Sequence, residues 1–166
     1  MAQRFYGNKD LATFEKFNRE LVGEPNISDD GIIDQFVILY RTSAYDTETN
    51  MYCETSNGKV FKPGVEMACL VEAEDMAFNT DEFGPDLRQN ATFSFVRQSL
   101  RDVSLVLEIG DVVEWFTAYW EITNVNENQL VGGQYKQLDG QHIHSVICSA
   151  NLLRRVNLNI EEVRSI

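Results

Sequence analysis

From Gly31 onward the chain is a succession of short stretches rich in β-branched and aromatic residues, parted by turn residues, with no comparably long helical stretch between them. This texture constrains the fold more than any other feature. Parallel strands need a crossover of a dozen or more residues, usually a helix, whereas antiparallel strands can be joined by tight turns. A chain without strand–helix alternation therefore pairs its strands antiparallel. The expected fold is mainly β: a small antiparallel β-barrel or sandwich with an N-terminal α-helix and a long acidic loop. One domain, 1–166, is expected, with the helix at about 9–22, the β-barrel at about 31–156 and a tail at about 157–166.

Individual strands follow from local pattern. Ile32 to Arg41 reads as a strand. Asn57-Gly58 is a tight-turn signal that would join Met51–Thr55 to Lys59–Lys62 as a hairpin. Val65 to Val71 reads as another strand, and a polar, acidic loop runs from about Glu72 to Asn90. Alternation returns at Thr92–Val96. Gly110-Asp111 then turns the chain into Val112–Phe116, and after a break at Thr117-Ala118 the strand Tyr119–Val125 completes a second hairpin. Leu130-Val131 begins a further strand with Gly132-Gly133 as a kink, and His142 to Ala150 forms the last one. Asn151 to Ile166 reads as a short helix or a tail.

The only strong helix pattern is at the start. Asn8 can cap it, Leu11, Phe14, Phe17, Asn18, Leu21 and Val22 follow helical spacing, and Gly23 can end it before Pro25. The apolar members form one stripe. A stripe on a terminal helix packs on its own barrel or on a neighbour, and the sequence leaves both open.

Composition limits the functions. The 43% hydrophobic content is that of a folded protein. No apolar run approaches the length of a membrane span, and Met1 to Phe5 lacks the basic-then-apolar pattern of a signal peptide, so no membrane partner is expected. The formal net charge is −12, and Glu66 to Asp86 carries seven acidic residues and no basic one. A protein that grips phosphates needs clustered Lys and Arg. An acidic stretch like this is a solvated loop, a surface that repels DNA, or one that meets a basic partner.

No catalytic constellation stands out. Cys53, Cys69 and Cys148 are scattered, and the latter two sit in apolar runs as small buried hydrophobes. His142 and His144 would share one strand face and can in principle hold a metal, but a third ligand is not evident nearby. There is no G-x-S-x-G elbow, no P-loop and no G-x-G-x-x-G fingerprint. Trp115, Phe116, Tyr119 and Trp120 can stack on bases or sugars, yet without interleaved Arg or Lys they point to a core or a subunit interface. Neither an enzyme nor a cofactor is expected.

Five pieces of the chain, taken in order, carry a resemblance. Phe5-Tyr6 with Phe17–Val22 opens it. Glu82–Asp86 followed by Asn90–Phe95, then Glu108–Trp115, then Tyr119–Gly133, and finally Ile147–Arg155 complete it. Together they resemble the neck proteins, the head–tail connectors or stoppers, of T4-like contractile-tailed bacteriophages and their cyanophage relatives. The chain is shorter than many such proteins, which have longer loops and tails.

The resemblance implies a structural virion protein, assembled in the cytoplasm of the bacterial host and located at the head–tail junction. It implies a ring, commonly a hexamer, that contacts a portal-bound adaptor on one side and tail-terminator, tail-tube or sheath proteins on the other. Phage DNA would pass through its lumen without sequence-specific binding. Candidate assembly residues are Leu11, Phe14, Phe17 and Leu21 on the helix, Glu82, Phe83 and Asp86 in the acidic loop, and Trp115 and Tyr119 in the hairpin. The segment Glu74–Gln89 is the candidate mobile or partner-ordered loop. A tail-terminator or baseplate protein is the alternative within the virion, and a small β-barrel binding module is the alternative outside it.

Overall fold

The computed structural model describes residues 8–23, 31–33, 35–51, 58–81, 84–130 and 143–153. In chain order the elements are α1 (Asn8–Val22), β1 (Phe36–Tyr40), β2 (Val65–Ala68), β3 (Leu70–Ala73), β4 (Ala77–Asp81), β5 (Gly84–Arg88), β6 (Asn90–Val96), α2 (Arg97–Asp102), β7 (Val112–Trp115), β8 (Ala118–Leu130) and β9 (Ile143–Leu153). Seven strands form one sheet in the order β2-β1-β7-β8-β9-β6-β3, and every pairing in it is antiparallel. The mainly β, antiparallel fold with an N-terminal helix is the one the sequence texture implies.

The two edges of this sheet are halves of one segment. Val65–Ala68 pairs with β1, Leu70–Ala73 pairs with β6, and only Cys69 separates them. At that corner the Cys69 amide donates to the Gln35 carbonyl over 3.0 Å. The sheet therefore curls until its ends meet through the covalent chain. No ladder of hydrogen bonds joins β2 to β3, so the enclosure is sandwich-like and not a cylinder closed by strand pairing. The expectation of a barrel over about 31–156 is corrected to that extent, and the single strand expected at Val65–Val71 becomes two.

Alternation decides which side chains fill the interior. In β6, Ala91, Phe93 and Phe95 are buried while Thr92 and Ser94 between them are half-exposed. The same inward set comprises Val37 and Leu39 of β1, Met67 of β2, Val113 of β7, Trp120 and Ile122 of β8, and Val146, Cys148 and Ala150 of β9. Phe93, Trp115 and Trp120 meet edge-on or tilted, with ring centroids 6.1 to 6.4 Å apart. Leu100 of α2 and Leu107 complete this core.

A smaller cluster closes the seam from outside. Val22, at the end of α1, packs with Ala68 of β2 and Val96 of β6, and Ile33 and Phe36 lie against them. The helix thus covers the place where the two ends of the sheet approach. Arg19 of α1 pairs with Asp102 of α2 and ties the helix down a second time. The expected stop at Gly23 is present: its amide donates to the Arg19 carbonyl over 2.8 Å at φ +88°, a left-handed conformation that suits glycine. Gly31 brings the chain back against Gly23, and Ile33 then donates its amide to the Leu21 carbonyl over 3.1 Å.

Other expectations need correction. The long acidic loop is largely strand: β3 takes its beginning, and β4 and β5 pair as a separate two-stranded sheet from Ala77↔Arg88 to Asp81↔Gly84. The glycine–proline pair read as a loop marker stands at the start of β5. The hairpin expected across Asn57-Gly58 has its 52–57 part outside the described residues. Its other half turns back onto β1's continuation, with Thr42 bridged to Phe61 and the Lys62 amide donating to the Arg41 carbonyl. Leu130, the expected start of a further strand, is the last residue of β8, one long strand bent by irregular pairing with β9, and Val131 onward lies outside the described residues. Residues 131–142 and the tail 154–166 lie outside the described residues.

Candidate assembly surface

Helix α1 has two unlike sides. Val22 is buried, and Glu15, Asn18 and Arg19 are half-buried on the side held to the body. At a spacing of three and four residues, Phe14, Phe17 and Leu21 form a stripe on another side, and they remain 47%, 64% and 44% exposed. Of the two possibilities left by the sequence, the stripe does not bury itself on its own sheet. Phe14 meets one body residue edge-on, the ring of His144, at a centroid distance of 5.9 Å. Leu11 lies in the first half of α1, where side chains are not described.

The hairpin residues divide differently. The β7–β8 connection is a two-residue turn, Phe116-Thr117, and Trp115 pairs with Ala118 across it. Tyr119 is only 6% exposed and its ring lies 6.4 Å from that of Tyr40. It is buried within the chain and so presents little surface of its own. Trp115 is half-buried against the core, with its ring 4.8 Å from that of Phe116. Phe116 is the residue that projects, 79% exposed. Its φ of +54° is a left-handed conformation uncommon for a bulky side chain. An aromatic next to a hairpin turn was a signal in the sequence, but alternation could not tell which of four aromatics would be left outside.

In the acidic segment, Asp86 is the strand partner of Asn79 in the β4–β5 pair, and its side chain is not described. Glu82 and Phe83 lie outside the described residues. The α1 stripe and the β7–β8 tip belong to separate elements.

Beside that tip, on the face of the sheet away from the main core, lies a shallow groove of about 330 Å³ across β2, β1 and β7. Glu66 and Glu114 are both register partners of Ile38, so the three form one cross-strand row in which a carboxylate stands on each side of an apolar residue. The Tyr40 hydroxyl donates to Glu114 Oε2 over 2.7 Å.

The chemistry of the interior is plain. Burial, and to a lesser degree the neighbouring Cys148, pushes the Cys69 thiol up to about 12; burial, with Glu127 and Asp111, pushes Cys148 up to about 12. Both are free thiols among apolar neighbours. Among the described residues no three of His, Cys, Asp and Glu converge as a metal site would require. His142, the other half of the expected H-x-H pair, lies outside them. Among the described residues no helix is long and apolar enough to cross a membrane. Asp111 is buried, but its carboxylate is occupied by backbone amides: Thr42 donates to Oδ1 and Glu108 to Oδ2, each over 2.9 Å.

Fold and surface together define a mainly β, antiparallel fold with an outward apolar helix stripe. No family model matches the chain, and no curated protein matches it at significance.

Proposed function

We propose that the protein is a structural, non-enzymatic subunit of the phage neck. Copies assemble into a ring beneath the portal and its adaptor, close the DNA-filled head and offer the tail its platform. The observation that carries this reading is the stripe Phe14, Phe17 and Leu21. It is exposed on a helix whose other side is already anchored through Val22 and through Arg19 to Asp102. An apolar stripe on a fixed helix costs solubility unless another molecule covers it. A ring uses heterologous contacts, in which such a stripe meets a different surface on the next copy.

Three further points support the reading. The five sequence pieces that resemble neck proteins include the turn at Gly110-Asp111, the β7–β8 hairpin and the closing strand β9, so the likeness runs through the centre of the sheet. Asp111, in the piece Glu108–Trp115, helps join this hairpin to the segment after β1 by accepting from the Thr42 amide. The −12 charge suits a channel through which DNA passes without adhering.

A strain lacking a functional copy of this chain tests the proposal. Filled heads and complete tails should accumulate unjoined. Tails of uncontrolled length, or tails without baseplates, would assign the chain to the tail terminator or the baseplate instead.

A further inference from the structure

We infer that the α1 stripe of one copy seats on the segment 103–109 of the next copy. The inference rests on the ring reading and deepens it by naming the second of the two surfaces that a heterologous contact needs.

Segment 103–109 runs from the end of α2 towards β7. Its inward side chains are committed to the fold: Leu107 is buried in the core and Leu105 packs against it. Val103, Val106 and Ile109 stay outside, 42%, 54% and 69% exposed. The backbone is held at both ends. The Ser104 amide donates to the Arg101 carbonyl and the Leu105 amide to the Leu100 carbonyl, each over 2.9 Å, and the Glu108 amide donates to Asp111 Oδ2 over 2.9 Å. The chain thus carries a second fixed apolar surface, one that needs little ordering on contact.

The two surfaces lie in different places. Val22, at the end of the helix that carries the stripe, packs with Phe36 at the start of β1. Ile109 adjoins Gly110, whose carbonyl accepts from the Thr42 hydroxyl beyond the other end of β1. Strand rise puts roughly 20 Å between Phe36 and Thr42. A stripe that met its own equivalent would make a closed pair, whereas separated, unlike surfaces make a contact that repeats around a ring.

The borders of the two surfaces select a second copy as the occupant. A stable contact hides about 800 Å² per partner, more than three side chains supply, so polar neighbours lie within it as well. The exposed pair Lys16–Glu20 flanks the stripe on α1, and the pair Arg41–Glu108 flanks Ile109. Each border therefore carries one charge of each sign. A strongly basic or acidic partner finds no complement at such a border, whereas two neutral pairs match each other. Copies with a charge of −12 repel at long range, and an apolar contact with neutral borders is the kind they can form.

The test mixes two variants of the full chain. Phe17→Asp spoils the stripe and keeps the 103–109 surface; Ile109→Asp does the converse. Each should weaken self-association at least about thirtyfold and sediment as a monomer where the parent forms larger species. Their equimolar mixture should form one-to-one dimers and nothing larger, because one variant keeps the stripe and the other keeps its seat. Native mass spectrometry reads this composition from the differing masses. Leu21→Asp mixed with Val106→Asp repeats the experiment on the same two surfaces should either first variant fail to fold. The inference is overturned if the folded variants stay monomeric when mixed, or if either alone assembles like the parent. Dimers of Ile109→Asp alone, which would set stripe against stripe, also overturn it, as does a parent that stays monomeric up to about 1 mM. Position in the particle plays no part in these readouts, so a failure here removes the contact and leaves the neck location to its own test.

Discussion

The Thr42 amide donates to the Asp111 carboxylate over 2.9 Å, and the Thr42 hydroxyl donates to the Gly110 carbonyl over the same distance. Two residues far apart in sequence are thereby joined where the chain leaves β1 and where it enters β7. Asp111 also receives the Glu108 amide and so shapes its own turn. Replacing Asp111 with Ala leaves two part-buried amide donors without their acceptor. The expected loss is about 1–3 kcal/mol, read from denaturant unfolding of the variant against the parent.

Gly31 predicts a second loss. A Cβ there would lie 2.3 Å from the Gly23 nitrogen and 2.5 Å from its Cα, and backbone cannot step aside as a side chain can. Gly31→Ala should destabilise by about 1–3 kcal/mol through overpacking, visible as a lower Tm. Gly58→Ala, where the added methyl meets open space, is a useful contrast. Its φ of +88° still imposes strain, about 1 kcal/mol.

The buried thiols predict a pH effect with a definite sign. Cys69 and Cys148 are raised from an ordinary 9.0 to about 12 in the folded chain. Their neutral form is favoured by folding, so this stabilisation is full below about pH 9 and is lost as pH rises towards 12. Alkylation at pH 8 followed by peptide mapping should leave both thiols unmodified in the native protein and modify both in denaturant.

The exposed stripe predicts a separation of stability from assembly. Phe17 is 64% exposed, so Phe17→Asp should change unfolding free energy by less than about 0.5 kcal/mol. The same substitution should abolish self-association in native mass spectrometry under conditions where the parent forms rings. If the variant assembles like the parent, the α1 stripe is not the contact.

Much of this fold can be read from residue pattern because period-two burial is strong in particular strands. The inward set Ala91, Phe93 and Phe95 of β6 and the turn between Trp115 and Ala118 follow directly from alternation and turn chemistry. The break at Cys69 does not, because Val65 to Val71 is apolar on both sides of the corner and a bend leaves no polar mark. Helix α2 is six residues with only Ser99 and Leu100 buried, too short to show a helical period. The β4–β5 pair was hidden by Gly84-Pro85, which reads as loop although a first or edge strand position tolerates proline. For the surface, helical spacing identified Phe14, Phe17 and Leu21, but apolar spacing alone cannot say whether a stripe faces in or out. That depends on Val22, one residue beyond Leu21, taking the seam. Tyr119 and Phe116 exchanged roles for the same reason: two aromatics near one turn are distinguished only by the register of β7 on β8.

The proposed neck role is tested most directly by gold-labelled antibody against this chain, applied to intact particles of tailed phage. The account predicts label at the junction of head and tail. Label at the far end of the tail, or its absence from purified particles whose denatured proteins include no such chain, would contradict it.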